Sequence, residues 1–569
     1  MKKNLVKICS VSLSVILLMF LFTMCKGDKN KKEDMNKVFK EFVANLEAKV
    51  IPLHKESALA YFNAAISGKE EDFAKSAEFE IQMSKIFANK EDFATLKKIK
   101  ESGQVTDELL ARQLDVLYNA YLGNQIDEKK LEEMIQLQTE IEKKYNNFRA
   151  IVGKDSLTDN QIEEVLSTST DTRKLKDVWM AHKKIGSLVA DDIKKLVKMR
   201  NEAAVSLGFK NYHEMSLKLS EQDPTEIEKL FDELDNLTAN VFVQLKSEID
   251  EYLAKRYKIK KEELMPWHYQ NRFFQEAPKI YTLDLDKYYK NKDVVELTKN
   301  YYASIGLPID DMLAKSDLFE KPGKNQHAFC IDIDKQGDVR VLCNIKNNSM
   351  WMNTMLHEFG HAIYDKHIDI NLPFFLRDPA HTFTTEAIAM MFGRMYSNPA
   401  WIKDNVGISE QEKQKISEES RKILKLEQIV FSRWAQVMYR FEKSMYENPD
   451  QDLNKLWWDL VEKYQLLKRP EGRNEPDWAS KIHIASSPCY YHNYLLGELL
   501  ASQLNNYIVK NIIKADNIYE QSFTGNKEVG KYLIEKVFAP GSRYHWNVMI
   551  EQATGEKLTP KYYAEQFVN

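Results

Sequence analysis

His357 and His361 stand four residues apart in TMLHEFGHAIYDKH (354–367), with Glu358 directly after the first. On an α-helix, residues i and i+4 emerge from one face a turn apart. Two imidazoles so placed can share one tetrahedral zinc ion. Glu358, offset by one residue, can lean over the metal to take a proton from water without being a ligand. The pair therefore demands a helix here, and a second element that crosses this helix to bring a third ligand.

Two downstream residues can supply that ligand. His367 stands six beyond His361, the place of a third histidine where a glycine lets the chain turn sharply, but Tyr364 occupies the glycine position. Glu386 lies in HTFTTEAIAMMFGRM, where Ala387, Ile388, Met390 and Met391 mark a second apolar helix able to pack on the first. An unpaired carboxylate among such neighbours is costly or stays protonated, and a dication removes that penalty. Glu386 is the expected third ligand; His367 and His381 are expected at the surface or rim.

The rest of the chain supports a mainly α fold. Glycine (19) and proline (15) are scarce for 569 residues, and Lys/Glu/Leu-rich stretches with helical spacing recur throughout. Segments such as DTRKLKDVWMAHKKIGSLVADDIKKLVKMRNEAAVSLG, broken by GKEED and EQDPTE, make residues 36 to 255 a helical shell. No fixed-period repeat suggests a solenoid. Lys and Arg (81) nearly balance Asp and Glu (85), so the net charge of −4 gives no field that would favour nucleic acid.

The first 25 residues stand apart. Lys2, Lys3 and Lys7 precede an apolar run, Ile8 to Met24, that is short for a membrane span and stops at Cys25. The pattern is that of an export signal. Cys25 sits where a bacterial lipoprotein signal carries its lipidated cysteine, with Leu21 upstream, though Phe22 and Met24 are bulkier than usual there. A lipoprotein, an uncleaved signal anchor and a cleaved, secreted or periplasmic protein are the readings left open. All three put the bulk of the chain outside the cytoplasm. Residues 26–35 are polar enough to be a flexible tether.

HAFCIDIDKQGDVRVLC (327–343) breaks the helical habit. Apolar and polar residues alternate on both sides of a glycine-containing turn, the pattern of a β-hairpin. Pairing Ile333 with Arg340 would set Cys330 opposite Cys343, where a disulfide or two reduced thiols could stand.

Together, His357-Glu358-Phe359-Gly360-His361 and Thr385-Glu386-Ala387-Ile388 resemble the gluzincin arrangement of the angiotensin-converting-enzyme family of peptidyl-dipeptidases. ASKIHIASSPCYYHNYLLGELLASQ (479–503), PWHYQNRFFQEAP (266–278) and PGSRYHWNVMIEQATGEKL resemble further blocks of that family. The resemblance implies a large helical ellipsoid of two halves around a deep cleft, with the hairpin beside the zinc helix. It implies one Zn2+ per chain on His357, His361 and Glu386, Glu358 as general base, and Tyr494 and His483 as oxyanion donors. By the same resemblance, Lys481, Tyr491 and Gln275 hold the substrate's free C-terminal carboxylate. The strand at His327-Ala328 would pair its backbone with the peptide.

Two positions depart from the family. Met390 replaces an aspartate that orients a zinc-bound histidine, and Asn493 stands where many animal members carry a chloride-binding arginine. Another group must then orient His357, and chloride activation has no residue to rest on. The reading is a monomeric zinc peptidase domain over 36–569 that releases C-terminal dipeptides from oligopeptides. An oligoendopeptidase or carboxypeptidase of similar fold is the alternative within the class. A non-catalytic, peptide-binding lipoprotein is the alternative outside it.

Overall fold

The computed structural model describes residues 34–568. The expected signal, Cys25 and all but the last two residues of the tether lie outside them. Helix α1 (Met35–Ser67) opens where the tether was expected to end: the Asp34 carboxylate accepts the N–H of Asn36 at 3.0 Å, capping the first turn. It runs through Pro52 and stops at Gly68, whose φ of +65° suits a glycine at a helix end. Gly68 is also a point of contact. A Cβ there would fall 2.0 Å from the carbonyl oxygen of Gly323, so only glycine lets α1 end against that loop.

Helix α2 (Glu70–Phe87) folds back beside α1. Beneath α1, Phe39, Val43, Leu46 and Val50 share a satellite core with Leu96, Leu114, Leu117, Phe374 and Phe375. Each such side chain contributes about 1.5–3 kcal/mol when fully buried. The main core is continuous from Met134 to Phe567. Through it run α3 (Thr172–Ser206) and α4 (Pro224–Tyr257), the latter starting inside the EQDPTE break with Asp223 as cap and Pro224 in its first turn.

The fold is mainly α, as expected, with two two-stranded sheets among the described residues. One of these the sequence reading missed: β1 (Ala150–Val152) and β2 (Asp155–Leu157), joined through Gly153 at φ +62°. Three-residue strands are too short to display a two-residue period. The expected hairpin forms from β3 (Phe329–Asp332) and β4 (Val339–Leu342), but its register differs from the expectation. Ile331, not Ile333, faces Arg340, and Cys330 faces Val341. The turn is centred one residue earlier, where Lys335 and Gly337 adopt left-handed conformations and the Asp332 and Asp334 carboxylates accept its backbone N–H groups. Cys330 and Cys343 are therefore not cross-strand partners, and both are free thiols.

Candidate metal centre

Helix α5 (Ser349–Lys366) carries the histidine pair. The Asn348 side chain caps it by accepting the N–H of Trp351 at 2.9 Å. Its apolar face, with Met355, Leu356, Phe359, Ala362 and Ile363, is buried, which turns His357 and His361 the other way. Tyr364 stays helical and fully buried, so no turn brings His367 back; that residue ends α5 and stacks on Phe538. Helix α6 (Thr382–Gly393) begins where His381 Nδ1 accepts the N–H of Phe383 at 3.1 Å, and it packs closely on α5.

Two glycines set the spacing between these helices. A Cβ at Gly360 would lie 2.8 Å from the Cα of Ala389, and one at Gly393 would lie 2.7 Å from Asn353 Oδ1. The close approach brings one donor atom each of His357, His361 and Glu386 within 4.8 Å of one another. Glu386 Oε1 stands 3.5 Å from His357 Nε2, and its Oε2 stands 3.4 Å from His361 Nε2. His361 Nδ1 contacts Thr385 Oγ1 at 2.8 Å, a bond that leaves Nε2 free to bind a cation. Two imidazole nitrogens and a carboxylate form a donor set that fits zinc. No hydrogen bond holds His357 Nδ1 among the described residues, and Met390 lies against Gly497 instead.

Burial and charge set the protonation of this group. Burial, partly offset by Glu386, lowers the His357 pKa to about 4. For His361 burial pulls the same way, but the hydrogen bond and charge of Glu386 outweigh it and the pKa rises. Burial would raise Glu386; its bond to His361 and the charges of both imidazoles carry it below the usual carboxylate range. Glu358 is 8% exposed, and burial raises its carboxyl to about 7. A carboxylate that ionises near neutrality suits a general base.

The triad opens onto a cavity of about 710 Å3. His54 of α1, residues 328–332 of the hairpin segment, and Asp365, Arg377 and His381 line it together with Glu358. Among the described residues strand β3 pairs only with β4, and all four of its residues line this space. Ala328 lines the cavity just before the strand, whereas His327 is exposed and outside it, its N–H bonded to Asn325 Oδ1. Asp365 and Asp332, neither singled out from the sequence, put two further carboxylates on the wall.

The segment 481–494 forms a chain of side chains toward the triad. Lys481 is 6% exposed and gives its ammonium to Gln275 Oε1 at 2.6 Å, bringing together two residues 206 positions apart. Its Nζ lies 5.3–5.4 Å from the ring centroids of Phe273, Trp434 and Tyr491. Burial, reinforced by the charge of Arg272, lowers its pKa to about 7. Tyr491 meets His483 at 5.5 Å and Tyr494 at 5.3 Å between ring centroids. Tyr494 stands in the first turn of α8 (His492–Tyr507), half-buried, and burial followed by the charge of Glu386 raises its hydroxyl pKa. His483 is held neutral by burial and by Lys481, with a pKa near 4. Asn493 is buried and accepts the side-chain N–H of Gln222 at 2.7 Å.

A helix carrying H-E-x-x-H, crossed by a second helix that delivers a glutamate, defines a metallopeptidase-type centre of the gluzincin kind. The peptidase family described as angiotensin-converting enzyme matches residues 33–562. The chain belongs to that family. It is 22% identical over 453 residues to angiotensin-converting enzyme-like protein Ace3 of Mus musculus, covering 74% of this chain and 61% of that protein. To the angiotensin-converting enzyme of Haematobia irritans exigua it is 23% identical over 482 residues, 76% of this chain and 77% of that one. The Rattus norvegicus enzyme gives 22% over 459 residues, 75% of this chain but 35% of the longer rat protein.

Proposed function

We infer that this chain is a zinc-dependent peptidase that releases dipeptides from the free C-termini of oligopeptides. One observation carries the choice of C-terminal dipeptides: the half-buried contact of Lys481 with Gln275, followed by the rings of Tyr491 and Tyr494, the last within the field of Glu386. A partly desolvated cation with a neutral hydrogen-bonding partner suits a carboxylate two residues beyond the scissile bond. His357, His361 and Glu386 would hold the zinc. Bound there, zinc supplies a Lewis acid that polarises the scissile carbonyl and acidifies water.

Glu358 takes the proton from the attacking water and returns it to the departing amine. As negative charge grows on the carbonyl oxygen, the Tyr494 hydroxyl and the His483 imidazole stabilise it; one such donor is worth about 3 kcal/mol. The free edge of β3 can hold an extended peptide by backbone pairing from Ala328 onward, with His327 at the rim. Because α1 flanks the cavity, slender unfolded peptides are the substrates that fit.

The leader 1–25 supports export with lipid attachment at Cys25 and an extracytoplasmic, membrane-anchored enzyme. No helix among the described residues is long and apolar enough to cross a membrane. Mass spectrometry of the mature N-terminus tests the lipid. The activity is tested by mass spectrometry of the products from matched peptides with free and amidated C-termini, with and without a chelator. Dipeptide release from the free form is expected, abolished by chelation. Lys481→Ala should slow the free form selectively; equal slowing of both forms would leave an oligoendopeptidase.

A further inference from the structure

The far side of α6 borders a second cavity, of about 350 Å3, that shares no lining residue with the metal cleft. That volume lies in the range that holds small organic molecules. Met391 of α6, Met395 and Ile518 give it apolar walls. Leu424, of α7 (Glu410–Glu447), adds to them.

Its polar lining is incompletely satisfied. Ser420 is 5% exposed, and its Oγ has no hydrogen-bond partner among the described residues. Gln566 Oε1 and Arg394 Nε are in the same condition, although the outer nitrogens of Arg394 engage Glu498 and Ser502. A buried polar atom left without a partner costs about 1–3 kcal/mol. Three around one cavity mark a place where a ligand would satisfy what the fold does not.

Charge selects the kind of ligand. Of the two acids in the lining, Glu418 is paired with Lys422 at 2.5 Å and Glu520 with Lys413 at 3.2 Å. Arg421 has no ion pair among the described residues; its guanidinium lies over the Tyr519 ring at 5.6 Å. Each acid thus has a lysine at close range, whereas Arg421 acts on Glu418 only through its field and keeps its guanidinium N–H groups free of any carboxylate among the described residues.

We propose that this cavity binds a small monocarboxylate carrying an amide and an apolar side chain, the chemistry of an N-acylated amino acid. The carboxylate meets Arg421, the side chain rests against Met391, Met395 and Leu424, and the amide answers Ser420 and Gln566.

Calorimetric titration of the full, metal-loaded chain tests this with N-acetyl-L-leucine and N-acetyl-L-leucinamide. The acid should bind the wild type and Lys481→Ala alike, and the amide about tenfold or more weakly, the worth of a charge-assisted hydrogen bond. Arg421→Gln, at an exposed position outside the peptidase machinery, should erase that preference while peptide turnover stays at the wild-type rate. Equal binding of acid and amide, no binding of either at millimolar concentration, or acid binding that survives Arg421→Gln but is lost in Lys481→Ala would each overturn the proposal.

Discussion

Burial strips Lys481 of so much water that its ammonium gives up its proton near pH 7, so it is a dependable cation only when an anion lies beside it. A lowered lysine pKa means the free enzyme is charged below about 7 and neutral above it. Binding a carboxylate at higher pH must then include uptake of a proton. KM for free-carboxylate peptides should therefore climb as pH rises above 7, while KM for the amidated counterparts stays level; paired KM–pH profiles from pH 6 to 9 check this. Glu358 makes a second single-residue test. Glu358→Gln keeps the shape and removes the base, so kcat should fall about 10²–10⁴-fold with metal content by elemental analysis unchanged. Turnover at the wild-type rate would return the chain to the peptide-binding reading.

At the scale of elements, the metal site depends on how closely α5 and α6 approach. Gly360→Ala would press a methyl group into the backbone at Ala389, and overpacking of this kind costs about 1–3 kcal/mol. The two helices should move apart, lowering the melting temperature and weakening metal retention against a competing chelator; unchanged values of both would mean the helices have slack.

The same elements show what the sequence made legible. The spacing of His357 and His361 is a property of one helix, and Glu386 declared itself as a charge among apolar neighbours. Thr385, next to Glu386, could have been sought as a hydrogen-bonding neighbour of the triad, but its partner His361 lies 24 residues away on another element. The hairpin misreading has a plain cause: side chains alternate with a period of two, so a two-residue shift leaves every residue on its own face and the pattern cannot tell the registers apart. The left-handed Lys335 in the shifted turn leaves no mark in composition.

For the whole molecule, the continuous core would make a metal bound at the triad an addition to a fold that already stands. Phe359 and Ile363 of α5 and Ile388 of α6 are all buried in that core, so chelation should lower the melting temperature without unfolding the chain. A ligand at a thousand times its Kd contributes about 4 kcal/mol. Thermal melts followed by circular dichroism, with chelator and after zinc is restored, should show a reversible downward shift with helix content unchanged at room temperature. Collapse of the helical signal on chelation would instead make the metal part of the scaffold.

The metal cavity draws its walls from His54 near one end of the chain and from Glu386 far along it, and Gly68 seats the first helix on the loop at Gly323. Contacts between such distant stretches form late, because the intervening loop must close before they return any energy. A chain still on the ribosome thus has the histidine pair in its sequence but no chamber to work in. Proteolytic competence arrives only with the finished tertiary structure.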